Sequence, residues 1–205
     1  MLILLLAAAA SLNVSPGAGN NKFDATFDAP LGEKIVATSS SVGCSVAWDE
    51  KSGTASGSCS VPLTSVMVDN EPTKTEHFQQ WATNKKVDAA ACSLEARFEA
   101  LKLEGPLSAA PAKLTGDAAF RVCGKRRIDG GRETVSGTAL RLPDGRIRVR
   151  ARVERFNRDR YRIGPKYTEG WLSRVQQLAP VVAEEGSIDI SVFVKPDETK
   201  AASRQ

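Results

Sequence analysis

Four cysteines and one histidine, His77, are the residues of this chain best suited to redox or metal chemistry. A single histidine is too few for a multi-histidine metal site, and the absence of a C-x-x-C pair argues against a zinc or thiol-redox centre. The sequence contains no G-x-S-x-G, G-x-x-x-x-G-K or G-x-G-x-x-G motif. A Ser–His–Asp triad that uses His77 stays an alternative, because triad residues need not be close in the sequence. No serine is singled out as its nucleophile. We therefore predict a protein without enzymatic activity, metal or cofactor.

The first two cysteines flank a turn signal, which favours a cross-strand disulfide. Cys44 and Cys59 lie on either side of the turn-forming segment 50–53. Antiparallel pairing about that turn sets Cys44 opposite Cys59 and Trp48 opposite Ala55. In the chain-entropy model, closing a loop of about 15 residues contributes roughly 3 kcal/mol. Disulfides of this kind are typical of oxidising, extracytoplasmic compartments.

The second pair, Cys92 and Cys123, leaves two readings open. Both cysteines flank a hairpin-like break at 105–111. Matching Leu94 to Val122 in that hairpin puts the two cysteines on opposite faces of the sheet. The pair therefore forms either a second disulfide or two half-buried free thiols.

The amino-terminal residues resemble a secretory signal. An apolar run from Leu2 to Ala10 precedes small residues, with no Lys or Arg before it. Nine or ten apolar residues are too few to cross a bilayer. We predict a signal peptide over residues 1–19, cleaved between Ala10 and Gly19, and a periplasmic or secreted protein. A buried amino-terminal segment is the alternative.

The elements that would position these residues are mostly strands. Short β-rich or alternating segments near 33–48, 55–63, 91–103, 112–124, 132–142, 146–156 and 187–195 are separated by turn-forming residues. Many short strands without a crossover pattern predict an antiparallel sandwich or barrel. Helical spacing predicts two helices, at 75–81 and 167–178, and the composition of 196–205 predicts a disordered tail.

An arginine row within one predicted strand raises the question of a polyanion partner. Every second residue from Arg146 to Arg152 is an arginine, and the residues between them are apolar. A period of two sends the arginines to one face of a strand and the apolar residues to the other. We interpret the arginines as the solvated outside of a sheet, with a surface for a polyanion or anionic headgroups as the alternative. A net charge of +4 is too mild for a nucleic-acid-binding domain.

Four stretches, in order, resemble the YceI-like family. They are TSVMVDNEPTKTEHFQQWATN (64–84), FRVCGKRR (120–127), FNRDRYRIGPK (156–166) and EEGSIDISVFV (184–194). The resemblance spans about residues 22–195, so residues 20–195 form the predicted domain. The four cysteines, and Thr73-Lys-Thr in place of an Arg-Asp pair, depart from the family pattern.

The resemblance implies an all-β, lipocalin-like antiparallel β-barrel with one or two short helices at its ends. It also implies an exported carrier whose interior holds a long-chain isoprenoid or lipid, with transient membrane contact and a homodimer among the compatible states. The implied wall or mouth residues are Val46, Trp48, Val61, Phe78, Trp81, Phe98, Phe120, Phe156, Tyr161 and Ile163. Small inward residues, Ala55, Gly57, Ala96 and Ala118, would leave room for the ligand. A structural or interaction barrel with a filled core and a basic outer face is the alternative.

Overall fold

Alternating apolar and polar residues build the strands of this protein, whose computed structural model describes residues 10–14, 20–168 and 182–196. The first six strands are β1 (Ala10–Val14), β2 (Lys22–Asp28), β3 (Lys34–Ser39), β4 (Gly43–Asp49), β5 (Thr54–Pro62) and β6 (Met67–Val68). The next six are β7 (Ser93–Glu104), β8 (Ala112–Val122), β9 (Lys125–Arg126), β10 (Glu133–Arg141), β11 (Ile147–Asn157) and β12 (Glu185–Pro196). All pairings among the described strands are antiparallel.

Two short α-helices accompany the strands. Helix α1 (Pro72–Thr83) starts at a proline, which suits the first turn because its missing N–H has no partner there. It ends at Thr83, and the left-handed φ of 53° at Asn84 lets the next N–H, that of Lys85, donate to the Gln80 carbonyl at 3.1 Å. Helix α2 (Pro165–Thr168) covers the start of the second predicted helix, and residues 169–178 of that prediction lie outside the described residues.

Eight strands close into a barrel, and β12 is where the sheet divides. The ring runs β1-β4-β5-β7-β8-β10-β11-β12 and returns to β1. The first half of β12 pairs with β2 at residues 186–191, while its last two residues pair with β1. Beyond β2 the sheet continues to β3 and β6. We call the end walled by β2, β3 and α1 the wide end, and the end walled by β1 the narrow end. The lipocalin-like barrel prediction is confirmed.

The arginine row, from Arg148 onward, lies on β11 as its alternation predicts, and Arg146 directly precedes the strand. Ile147 and Val153 are buried, whereas Arg150 is exposed on the outer face. The guanidinium groups of Arg146 and Arg148 both lie over the Phe193 ring, 5.2 and 5.4 Å from its centroid. The row therefore forms part of the outside of the barrel.

Both disulfides are present, and the second corrects a register argument. Cys44 pairs with Cys59 across β4 and β5, as predicted. Leu94 does pair with Val122, yet Cys92 and Cys123 are bonded, with Cα atoms 4.7 Å apart. Cys123 follows the end of β8 and has φ of 50°, so strict alternation stops there and its side chain can face Cys92. The reading as free thiols is wrong.

Strand β1 lies inside the segment predicted to be a signal peptide. It pairs with β4 over five residues and with the end of β12, and Leu12 and Val14 are buried. The signal peptide stays a prediction, since residues 1–9 and 15–19 lie outside the described residues. The predicted tail is likewise outside them, apart from Pro196 at the end of β12.

Candidate ligand-binding cavity

The wide end of the barrel encloses an apolar cavity of about 510 Å³, the main cavity. Strands β2 and β3 contribute Phe23, Phe27 and Ile35 to one side, because alternate residues of each strand face inward. Helix α1 covers this end and contributes Phe78 and Trp81. A volume of this size lies within the usual range for small-molecule sites.

A second space, the small cavity, lies at the narrow end and measures about 120 Å³. Its wall includes Leu12 and Val14 from β1, and Ala55 and Ala118. Ala96 lines both cavities. Gly57 instead allows β4 and β5 to approach closely: its φ is 151°, and a Cβ there would collide with the Ser45 carbonyl oxygen of β4.

The predicted wall residues divide between the two cavities. The main cavity is lined by Val61, Phe78, Trp81, Phe120, Phe156 and Ile163. The small cavity is lined by Val46, Trp48 and Phe98. Tyr161 lines neither. Contact of any of them with a ligand stays a prediction.

Tyr161 supports the wall from behind. Its ring stacks on Phe156 with centroids 4.9 Å apart, and its hydroxyl donates a 2.8 Å hydrogen bond to the buried carboxylate of Glu133. The Arg127 guanidinium lies 3.2 Å from the same carboxylate. Burial, together with the bond to Glu133, raises the pKa of Tyr161 above its ordinary value, so its hydroxyl keeps its proton and remains a donor.

A partly buried arginine, Arg158, holds two chain segments at the wall of the main cavity. The Arg158 guanidinium donates hydrogen bonds to the carbonyl oxygens of Ile163, Val182 and Ala183 at 2.7–3.0 Å. Gly164 makes this approach possible, because a Cβ there would collide with the guanidinium. Burial lowers the pKa of Arg158 from its ordinary value. Since Ile163 and Val182 line the cavity, Arg158 positions part of its wall.

The rim of the main cavity is polar and carries both signs of charge. Glu71, which precedes α1, and Lys74 and His77 of α1 line it, and His77 is exposed. The Lys74 ammonium pairs with Asp69 at 2.8 Å. Asp69 in turn accepts a 2.8 Å hydrogen bond from the Val36 N–H of β3. These contacts attach the start of α1 to the sheet.

One partly buried cation lies near the carboxyl end of α1. The Lys125 ammonium donates to the Asn84 side-chain oxygen at 3.1 Å and to the Arg162 carbonyl at 3.5 Å. Desolvation lowers the pKa of Lys125 to about 8. Lys125 of β9 therefore links the end of α1 to the loop after β11, and its charge is partly desolvated there.

Two kinds of feature are absent from the described residues. They contain no group of three or more His, Cys, Asp or Glu side chains that could hold a metal ion. No helix within 10–14, 20–168 or 182–196 has the length and apolar character needed to span a membrane.

Strand β2 supplies wall residues that the sequence analysis did not identify. The segment KFDATFD alternates, and Phe23, Ala25 and Phe27 all line the main cavity. The signal was the same period of two that identified β11. It was missed because β2 follows closely on the apolar amino-terminal run.

Comparison with known proteins establishes the fold. No protein-family model matches the sequence, and no curated protein matches it. Among solved structures, the chain is similar to a polyisoprenoid-binding domain from Saccharophagus degradans implicated in plant cell wall breakdown. The identity is 12%, the TM-score is 0.62, and the match covers 93% of this chain and 100% of that domain. The predicted fold, that of the YceI-like family, is confirmed.

Proposed function

We propose that this protein is an exported, non-catalytic carrier that holds a long apolar chain, an isoprenoid or a fatty chain, in the main cavity. The observation that carries the proposal is an apolar cavity of about 510 Å³ beneath α1. The structurally similar domain is a polyisoprenoid-binding protein, which supports the same class of ligand.

The wall chemistry explains how such a ligand would be held. Each methylene removed from water contributes roughly 0.8 kcal/mol, so an apolar wall supplies binding free energy without polar contacts. The charged groups at the rim leave a polar headgroup close to solvent. Affinity then comes from the tail, and discrimination among headgroups is weak.

Export is the second part of the proposal. The four cysteines form two disulfides, and stable disulfides are typical of oxidising compartments. Strand β1 constrains how a signal peptide would be processed. Because Ala10–Val14 is a barrel strand, cleavage near Ala10 retains β1, whereas cleavage near Gly19 removes it. We therefore propose cleavage at or before Ala10.

Analysis of what purifies with the protein tests the proposal directly. We expect mass spectrometry of an organic extract to reveal a stoichiometric long-chain lipid. A lipid-free protein that also rejects hydrophobic probes would favour the alternative, an interaction barrel that uses its arginine face. Hydrolysis of a bound ester that disappears in His77→Ala would overturn the non-catalytic proposal.

A charged substitution in the wall of the main cavity tests whether the ligand binds there. Trp81→Asp places a carboxylate in the main cavity, so we expect lipid uptake to fall at least tenfold while circular dichroism shows an intact fold. Gln79→Asp is the matched control, because Gln79 lies on the same helix outside the cavity lining. Unchanged lipid retention in Trp81→Asp would contradict ligand binding in the main cavity.

A further inference from the structure

We infer that a constriction between the two cavities sets the length of the apolar chain that this protein accepts. The constriction, which we call the waist, consists of Cys59, Ala96 and Ile190, the residues that line both cavities. The inference rests on the proposed function, because it concerns which chain enters the main cavity.

Three strands cross the waist at the same level. On β12, Ile188 lines the main cavity and Val192 the small one, and Ile190 lies between them. Because side chains alternate across a strand, these are three successive inward positions. On β12 the waist is therefore one inward-facing residue thick, and that residue separates the two cavities.

The opposite wall repeats this order. On β7, Leu94 lines the main cavity, Ala96 lines both cavities and Phe98 lines the small one. Ala96 pairs directly with Cys59 of β5. On β5, Val61 faces only the main cavity. All three strands thus pass from one cavity to the other at the level of the waist.

The residues of the waist are held in place by their neighbours. Cys59 is bonded to Cys44 on β4, which closes that side covalently. Ile190 lies between Ala151 of β11 and Phe23 of β2 in the ladder. A β-branched side chain such as Ile190 has restricted rotamers on a strand. A chain end that reaches this level meets a rigid floor.

The volume of the main cavity gives the chain length. A water molecule's share of liquid volume is roughly 30 Å³, and a methylene group is of similar size. The main cavity of about 510 Å³ therefore holds about 17 chain carbons. Joining the small cavity of about 120 Å³ would add about 4 more. The ligand class is a fatty chain of sixteen to eighteen carbons or a prenyl chain of about fifteen carbons.

A length series of saturated fatty acids tests this limit. Probes from twelve to twenty-four carbons, in steps of two, displace a fluorescent fatty acid from the full-length protein. We expect each added methylene to lower Kd about fourfold until about 17 carbons. Beyond that length, Kd should stop falling, because additional methylenes remain in water.

Two matched substitutions on β12 separate the waist from the cavity wall. Ile190→Ala and Ile188→Ala remove the same atoms from the same face, but only the first opens the waist. We expect the break in the length series to lie about 4 carbons later in Ile190→Ala than in Ile188→Ala. Ala96→Leu, added to Ile190→Ala, should refill the waist and restore the shorter limit. Ile190→Val and Ile188→Val provide a milder pair if the alanine variants unfold.

The outcomes distinguish this inference from the proposed function. A wild-type protein that binds no probe of any length rejects the proposed function and the waist together. Wild-type binding that tightens steadily to twenty-four carbons overturns the waist and leaves the carrier function standing. Identical breaks in the Ile190 and Ile188 variants overturn the waist as well.

Discussion

The two ends of the barrel are built from the same alternating strands but enclose very different volumes, about 510 Å³ at the wide end and about 120 Å³ at the narrow end. At the narrow end, β12 meets the five-residue strand β1, which completes a ring of eight. At the wide end, β12 meets β2 instead, and the wall continues through β3 and β6 to α1. The larger volume therefore lies where β12 pairs with β2, and the smaller volume lies where β12 pairs with β1.

The ends also differ in polarity. The small cavity is lined by apolar side chains and Cys44–Cys59. The wide end includes the buried Glu133, the guanidinium of Arg158 and the ammonium of Lys125. Each charge is held by hydrogen bonds, which buried charges require. We therefore expect the narrow end to contribute mainly packing stability, and we assign the proposed carrier function to the wide end.

Removing β1 should have the largest effect on this comparison. Burial of Leu12 and Val14 contributes roughly 1.5–3 kcal/mol each, so a chain that begins at residue 15 should lose about 4 kcal/mol of unfolding free energy. A chain that begins at Ala10 is the control, and urea unfolding measures both. Equal midpoints would show that β1 does not close the barrel.

A pair of truncations, one at each end, should separate stability from binding. Leu114→Ala enlarges a space lined by buried residues at the narrow end and should cost about 3 kcal/mol of unfolding free energy with little change in lipid Kd. Phe78→Ala, at the partly buried cavity wall, should cost only about 1 kcal/mol but weaken binding. Urea unfolding and fluorescent-lipid titration measure the two properties. Equal losses of stability would contradict the division.

The last prediction concerns the charge at Lys125, whose effect is confined to pH values above about 8. Its pKa falls from 10.5 in the unfolded chain to about 8 in the fold, so protonation is less favourable in the folded protein. Wild-type stability relative to Lys125→Met should be constant below about pH 8 and should rise as the pH increases from 8 towards 10.5. Thermal unfolding of both proteins across this range measures the difference. A difference independent of pH would contradict the depressed pKa.

Local periodicity predicted most of the barrel. The alternation around Arg150 and Ile190 identified β11 and β12, and the turn at 50–53 identified the register of Cys44 and Cys59. Strand β1 was not predicted, because its residues directly follow the apolar run that resembles a signal peptide. Its partner strands, β4 and β12, are also distant in the sequence.

The candidate site was predicted less completely, because it depends on non-local contacts. An aromatic residue in an amphipathic segment indicates an inward position but not which cavity it faces: Trp48 lines the small cavity, whereas Trp81 lines the main cavity. Tyr161 is an aromatic residue and therefore resembles a wall residue in the sequence. Its supporting role depends on the hydrogen bond to Glu133, which is distant in the sequence. The Cys92–Cys123 bond depends on a left-handed φ at Cys123, a conformation that a cysteine does not signal.

The placement of the two disulfides has a mechanical consequence for the mouth of the barrel. Cys44–Cys59 joins β4 to β5, and Cys92–Cys123 joins the beginning of β7 to the end of β8. Both covalent links therefore lie on one half of the circumference. The facing half, formed by β2, β3 and α1, is held by hydrogen bonds and side-chain contacts alone. We therefore expect a bulky cargo that widens the opening to displace this second half, while the two disulfides hold the first half in place.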